Sequence, residues 1–217
     1  MSFKSESRPE NSIAIRLMEA AANLLLEEGP SALSARRISQ SAGVSTQGLY
    51  THFGSMGNLV RAVVDDGFQR LGQALDSIAP SDDPINDLIR QTFAYVNFGR
   101  NHHALYSIMF GVIPLGNFGA HTSDELSRGR YTLDKVAIGM ERAIIDGRFK
   151  NNVPFFLANQ WWIMVHGYVL TESVGYMNPA NGEKKVLLPA LYHLFLGMGD
   201  NEARIKVSFE QAQILIG

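Results

Sequence analysis

The sequence has no cysteine, which removes disulfide staples, thiolate metal sites and a cysteine nucleophile at once. It has no apolar run of the about 18 residues that a membrane-spanning helix needs. Its opening residues, MSFKSESRPENS, lack the apolar stretch of a secretory leader. A cytoplasmic location with no membrane partner is therefore expected. Strong charge of either sign is also missing: 19 Lys+Arg stand against 21 Asp+Glu, a net charge of −2. Residues 1–61 carry six basic against five acidic side chains, and the remainder thirteen against sixteen, so the N-terminal part is only slightly the more basic. If nucleic acid is bound, a few placed residues must bind it. Catalytic signatures are absent as well. There is no nucleophile elbow, no P-loop and no zinc-protease histidine pair. Of the six histidines, His102, His103, His121 and His166 are the ones to weigh as ligands. None has metal-ligand spacing, and adjacent histidines point to different sides of a helix. No enzyme, no metal and no cofactor are expected.

What the chain does have is helical periodicity. At 46% hydrophobic over 217 residues it can bury a substantial core. From Ile15 to Glu28 apolar residues recur at three and four, and the run stops at Gly29-Pro30. Ser34 can cap a short second helix with Ile38 buried, and Ala42-Gly43 ends it. Ser45 can cap a third, carrying Leu49, Tyr50 and Phe53, with Gly54 closing it. The last two make a helix-turn-helix with glycine in the turn. A long helix is expected from Met56 to about Ile78, then a break at APSDDP. Further helices are expected at Ile85–Phe98, His102–Phe110, Ser123–Asp146, Pro154–Tyr176 and Lys184–Gly197, with a glycine-rich loop, GVIPLGNFGAH, among them. Only Ile205–Phe209 hints at alternation. The fold class is all-α, about nine helices: a three-helix head with its N-terminal arm (1–54) and a helical body (55–217).

The order Ala20-Ala21, Glu27-x-Gly29, Ser34-x-Arg36-x-Ile38, Ala42-Gly43-Val44-Ser45, Leu49-Tyr50-x-His52-Phe53 and Leu59 resembles the DNA-binding domain of the tetracycline-repressor (TetR) family over residues 13–60. Trp162-x-x-x-His166-Gly167 on a long helix is similar to the Trp-His-Gly signature of one C-terminal subclass of that family. The resemblance implies a homodimeric, ligand-responsive transcriptional repressor, whose body both dimerises and encloses a small-molecule effector. Its alternative is a helical small-molecule-binding protein whose DNA affinity is weak or lost.

On the third helix, Val44, Leu49 and Phe53 should face inward, leaving Thr46, Gln47, Gly48, Tyr50, Thr51 and His52 at or near the outer surface. The Gln47 amide can serve adenine bidentately, and Thr46 and Thr51 offer a hydroxyl or a methyl group. Gly48 permits close approach at a cost of about 1 kcal/mol in helix propensity. Tyr50 and His52 resemble the family's phosphate-contacting pair. Ser34 at a helix N-terminus, Ser45 and Arg36 complete the expected double-stranded DNA contacts. One departure stands out: Met56 lies where the family commonly has a lysine. Phosphate binding would then lean on backbone amides there, on Arg36 or Arg37, and on Lys4 and Arg8 of the arm.

The body's Phe93, Phe98, Met109, Phe110, Tyr131, Trp162 and His166 are the expected lining for an apolar or aromatic effector, with Asn97 and Glu172 as further hydrogen-bonding groups. The same residues could simply be core. The resemblance places the homodimer contact on the Pro154–Tyr176 and Lys184–Gly197 helices. Leu188, Leu191 and Phe195 share a stripe as an interhelical seam would, although a monomer's own core would show that stripe too.

Overall fold

A computed structural model describes residues 13–111 and 129–216. All regular elements among them are helices. The head begins with α1 (Ile13–Glu28), which buries Leu17, Ala20, Ala21, Leu24 and Leu25 on one face. Gly29, at φ 78°, ends it, and a 3-10 turn, Pro30–Ala32, follows. α2 (Ala35–Ala42) starts at Ser34, whose hydroxyl accepts from the Arg37 amide at 3.3 Å. Its C-cap, Gly43, takes the left-handed conformation at φ 63°, which favours glycine. α3 (Thr46–Phe53) starts at Ser45, whose hydroxyl accepts from the Gly48 amide at 3.1 Å. Each cap satisfies an otherwise orphaned amide and contributes about 1 kcal/mol. Leu17, Leu25, Ile38 and Leu49 lie fully buried. Such residues each contribute about 1.5–3 kcal/mol by leaving water.

α4 (Met56–Asp76) ends slightly earlier than the periodicity predicts. The chain forms two compact units whose boundary falls within α4. The first takes the described residues through Gly67 together with Ala104–Met109 of α6 (His103–Met109). Here Gly67 has a steric reason: an added Cβ would lie 2.4 Å from the Met109 Sδ.

The second unit holds the rest of α4, α5 (Pro84–Asn101), α7 (Arg130–Ile145), α8 (Pro154–Ser173), α9 (Leu188–Met198) and α10 (Glu202–Ile216). A helical turn, Pro179–Gly182, and a π-helical turn, Glu183–Leu187, lead into α9. Asp83 caps α5 by accepting from the Ile85 and Asn86 amides at 2.9 and 3.3 Å. The same Oδ1 accepts from Arg148 at 2.9 Å. Arg148 is itself buried and forks onto Asp200 at 2.9 and 2.7 Å, with Ser208 at 2.9 Å. One guanidinium thus ties together the α5 cap, the segment after α7 and the start of α10.

Ile205–Phe209, whose alternation is too short for a sheet, lies within α10, where Ile205, Phe209 and Ala212 are buried at helical spacing. Of the stripe that could serve either a partner or the protomer's own core, Leu191 and Phe195 are fully buried within the protomer, with the Phe195 ring 5.5 Å from that of Phe149, while Leu188 is half-buried. The outward apolar positions are elsewhere. Phe156 and Ile163 on α8 are 60% and 66% exposed. An added Cβ at Gly167, or at Gly197 on α9, would meet nothing within 4 Å.

Candidate nucleic-acid interface and effector site

Three helices on a shared apolar core present α3 to solvent on one side. Leu49 is its buried residue, with Val44 and Phe53 half-buried. Thr46, Gln47, Tyr50, Thr51 and His52 are exposed, Tyr50 at 46%. The Thr51 hydroxyl donates to the Gln47 carbonyl at 2.8 Å, so its methyl group and remaining lone pair are what it can offer outward. Ser45 and Ser34 spend their hydroxyl oxygens on helix capping. Gly48 has an internal reason beside the expected external one: a Cβ there would fall 2.8 Å from Val44 Cγ1.

The arginines differ more than their sequence positions suggest. Arg37 is forked onto Glu28, with Nη1 at 2.9 Å from Oε2. That hydrogen bond holds the Glu28 carboxyl below its ordinary value. Arg36, next to it, is exposed on α2. Past α3, the Asn58 side-chain amide donates to the Phe53 carbonyl at 2.8 Å, and its oxygen accepts from Arg61. The sequence reading did not single out Arg61 or Asn58. Their i, i+3 spacing was the available signal. Lys4, Arg8, His121 and the glycine-rich loop lie outside the described residues, apart from Gly111 at the loop's start.

In the second unit, α5 and α8 meet along a line of polar and aromatic contacts. Trp161 is 1% exposed and donates Nε1–H to the Thr92 hydroxyl at 2.8 Å. Its ring meets Tyr95 edge-on at 5.5 Å, a favoured aromatic geometry. Trp162 donates to the Tyr95 hydroxyl at 3.0 Å, and that hydroxyl lies 3.4 Å from His166 Nδ1. The Trp162 and His166 rings stack at 5.0 Å. An indole N–H can only donate, so Tyr95 accepts from Trp162, while the direction of its contact with His166 follows the imidazole tautomer. Burial pushes the His166 pKa down, which favours the neutral form.

Farther along, Arg100 forks onto Glu172 at 2.7 and 2.8 Å and reaches Glu183 at 3.2 Å. Tyr168 donates to Glu172 at 2.7 Å. Burial opposes the Glu172 charge, but the bonds from Arg100 and Tyr168 outweigh it and its pKa falls. Burial and the bond to Glu172 push Tyr168 up to about 12. Glu172, expected to greet an effector, is thus already engaged by its own chain, and Asn97 lies within 3.4 Å of Arg100.

Of the expected effector residues, Phe93 and Phe98 are buried on α5, Trp162 and His166 are together on α8, and Tyr131 on α7 is 42% exposed. Met109 and Phe110 belong to the first unit. Tyr95 is the hub of the group. Among the described residues, no cluster of three or more His, Asp or Glu side chains is placed to hold a metal. No helix among them is long and apolar enough to cross a membrane.

A capped helix-turn-helix with an exposed polar second helix, followed by a helical body, defines the architecture: an all-α fold with a helix-turn-helix at its head. Residues 17–63 match the family described as bacterial regulatory proteins, tetR family. Over 183 residues, 81% of this chain and 77% of the other, the sequence is 26% identical to the uncharacterized HTH-type transcriptional regulator Rv0681 of Mycobacterium tuberculosis. It is 37% identical over 70 residues to the HTH-type transcriptional repressor Rv3405c of that organism, a match spanning 32% of this chain and 37% of that protein. A solved structure of a protein with unknown function from Rhodococcus sp. RHA1 is similar with a TM-score of 0.73 at 22% identity, covering 89% of this chain and 100% of that one. The TetR-family regulator PfmR from Thermus thermophilus is similar with a TM-score of 0.58 at 20% identity, covering 71% and 84%. The structural likenesses establish the fold. The match to the family model covers the head alone.

Proposed function

We propose that this protein is a ligand-responsive, DNA-binding transcriptional regulator, acting as a repressor that binds a palindromic operator as a homodimer and is released by a small apolar or aromatic effector. The observation that carries the reading is α3: five exposed polar or aromatic side chains on a helix whose own core requirement is met by Leu49. In this reading residues 1–54 are the reader and 55–217 the body. Gln47 reads a base edge, with Thr46 and Thr51 beside it. Tyr50, His52, Arg36 and the amides at Ser34 and Ser45 fix register on the phosphates.

The homodimer contact is assigned to the outward face of α8 and to α9. Phe156, Ile163 and Gly167 on α8 and Gly197 on α9 supply apolar surface and room for close backbone approach. Two-fold symmetry would set the two readers about 34–36 Å apart, one helical turn of DNA. The effector is assigned to the Tyr95, Trp162 and His166 group with Phe93 and Phe98, consistent with a Trp-His-Gly-type body. Because α4 contributes residues to both units, a shift of α4 would carry the effector's preference to the reader. The effector acts by binding better to the state in which the readers do not match the operator.

The test is fluorescence anisotropy of the purified protein on DNA from upstream of its own gene, with scrambled DNA as control, alongside light scattering. A dimer that binds the upstream DNA much more tightly, and an Ile163→Glu variant that is monomeric and loses that preference, support the reading. A protein that treats both DNAs alike at low salt, for several candidate operators and after refolding free of ligand, leaves the helical small-molecule-binding protein as the better account.

A further inference from the structure

A TetR-like reader is expected to carry a lysine at the start of the helix after its recognition helix, and Met56 stands there. The neighbouring side chains supply a cation by another route. α3 and α4 are separated only by Gly54 and Ser55, and Asn58 bonds across that junction in three directions. Its backbone amide donates to the Ser55 hydroxyl at 3.2 Å, its side-chain amide donates to the Phe53 carbonyl at 2.8 Å, and its side-chain oxygen accepts from Arg61 Nη2. Arg61 therefore reaches back one turn along α4, the direction helical side chains favour. Its guanidinium is held against Asn58, whose own amide bonds the residue that ends the reading helix.

Two other arginines of the first unit are differently placed: Arg37 has a carboxylate fork at Glu28 that already compensates its charge, and Arg16 has its Nε buried. Arg36 is exposed on α2, away from the α3–α4 junction in sequence. Arg61 is exposed, and the partner that positions it is a neutral amide. An amide orients a guanidinium without neutralising it and leaves most of its five N–H donors for another acceptor. Such a fork suits a phosphate oxygen pair.

We propose that Arg61, positioned by Asn58, is a DNA backbone phosphate clamp of this reader, taking the place of a cation at position 56. The inference rests on the DNA-binding reading. It adds a contact that holds register without reading sequence.

The test is the salt dependence of binding, read by anisotropy on the upstream DNA and on a random-sequence duplex of equal length. Neutralising one phosphate contributes about 0.9 to the slope of log K against log salt. Arg61→Ala should lower that slope by about 0.9 per protomer and weaken binding to both duplexes by the same factor. Arg61→Lys should recover most of the slope. Melting curves matching wild type show that the exposed Arg61 variants are folded. An Arg61→Ala slope equal to wild type overturns the clamp while leaving the DNA-binding reading standing. So does a loss confined to the upstream duplex, which would make Arg61 a base contact. If the wild-type protein binds neither duplex in a salt-dependent way, the DNA-binding reading itself fails, and the clamp with it.

Discussion

On α3, Gln47, Tyr50 and His52 stand exposed on a helix that needs only Leu49 for its own packing. Between α5 and α8 the polar groups are turned inward and matched: Trp161 to Thr92, Trp162 and His166 to Tyr95, Glu172 to Arg100 and Tyr168. In one region polar atoms are left open to solvent. In the other they are consumed by the protein, since an unmatched polar group inside would cost about 1–3 kcal/mol. An exposed polar residue keeps its hydrogen-bonding capacity for water or a ligand, whereas an inward one must first be shown to have capacity left. This is why the reader is the firmer part of the proposal, and why an effector in the second unit would have to rearrange bonds that already exist.

The sharpest break of that comparison is in the most consumed group. Arg148 and Asp200 form a buried fork that also holds Ser208 and the Asp83 cap. Asp200→Ala would leave a buried guanidinium short of its main partner and should cost about 3–5 kcal/mol. Urea unfolding followed by circular dichroism should show the loss. A variant within about 1 kcal/mol of wild type would mean that water reaches Arg148 and the interior is less closed than its burial indicates.

Gln47→Ala should do the reverse. It removes an exposed side chain with no partner role in the fold, so the melting temperature should stay put. Discrimination between operator and scrambled DNA should fall by about 1–3 kcal/mol per half-site, the value of one bidentate base contact. Equal losses on both DNAs would reassign Gln47 to the backbone.

A smaller effect separates two acid windows in the body. The His166 pKa lies below its ordinary 6.5 because of burial. The folded chain therefore binds fewer protons than the unfolded chain as pH falls below 6.5, and stability declines there. For Glu172, whose pKa is held below 4.5, the stabilisation is complete above 4.5 and is lost only as pH falls through the lower folded value. His166→Gln should flatten the melting-temperature profile just below pH 6.5 and leave the decline below 4.5 in place. A profile unchanged in both windows would show that His166 is hydrated rather than buried.

Much of the fold was legible because local rules sufficed. Ser34 and Ser45 stand where caps are needed, Gly43 and Gly54 where the chain must turn with positive φ, and apolar residues recur at helical spacing through α1, α4 and α5. Ambiguity remained where one pattern has two causes. Leu191 and Phe195 make the same stripe whether they face a partner or their own core, and only the packing of Phe149 against Phe195 decides between them. Five residues of α10 mimicked alternation because Val207 is apolar on its outer side. The reader's outer face was legible from helix geometry alone. The Tyr95 hub and the Arg100–Glu172 pair were not, since they join residues about 70 positions apart and no short spacing encodes them.

Gly48 is the position where the two regions' logics meet, and it gives the smallest expected effect. As a surface glycine it costs about 1 kcal/mol against alanine, so Gly48→Ala would be stabilising if DNA approach were its only reason. A Cβ at 48 would instead fall 2.8 Å from Val44 Cγ1, and a β-branched side chain in a crowded turn has few rotamers to retreat to. The two terms oppose each other, and the contact is short enough that the clash should win narrowly. Gly48→Ala should lower the melting temperature by a few degrees, and adding Val44→Ala should return much of that loss by making room. Operator affinity, compared between Gly48→Ala and the double variant, then divides the remaining effect. If the double variant melts near wild type yet binds operator at least about tenfold more weakly, a difference of about 1.4 kcal/mol, while Val44→Ala alone binds normally, the glycine also serves close approach to DNA. If affinity returns with stability, its reason lies wholly inside the protein.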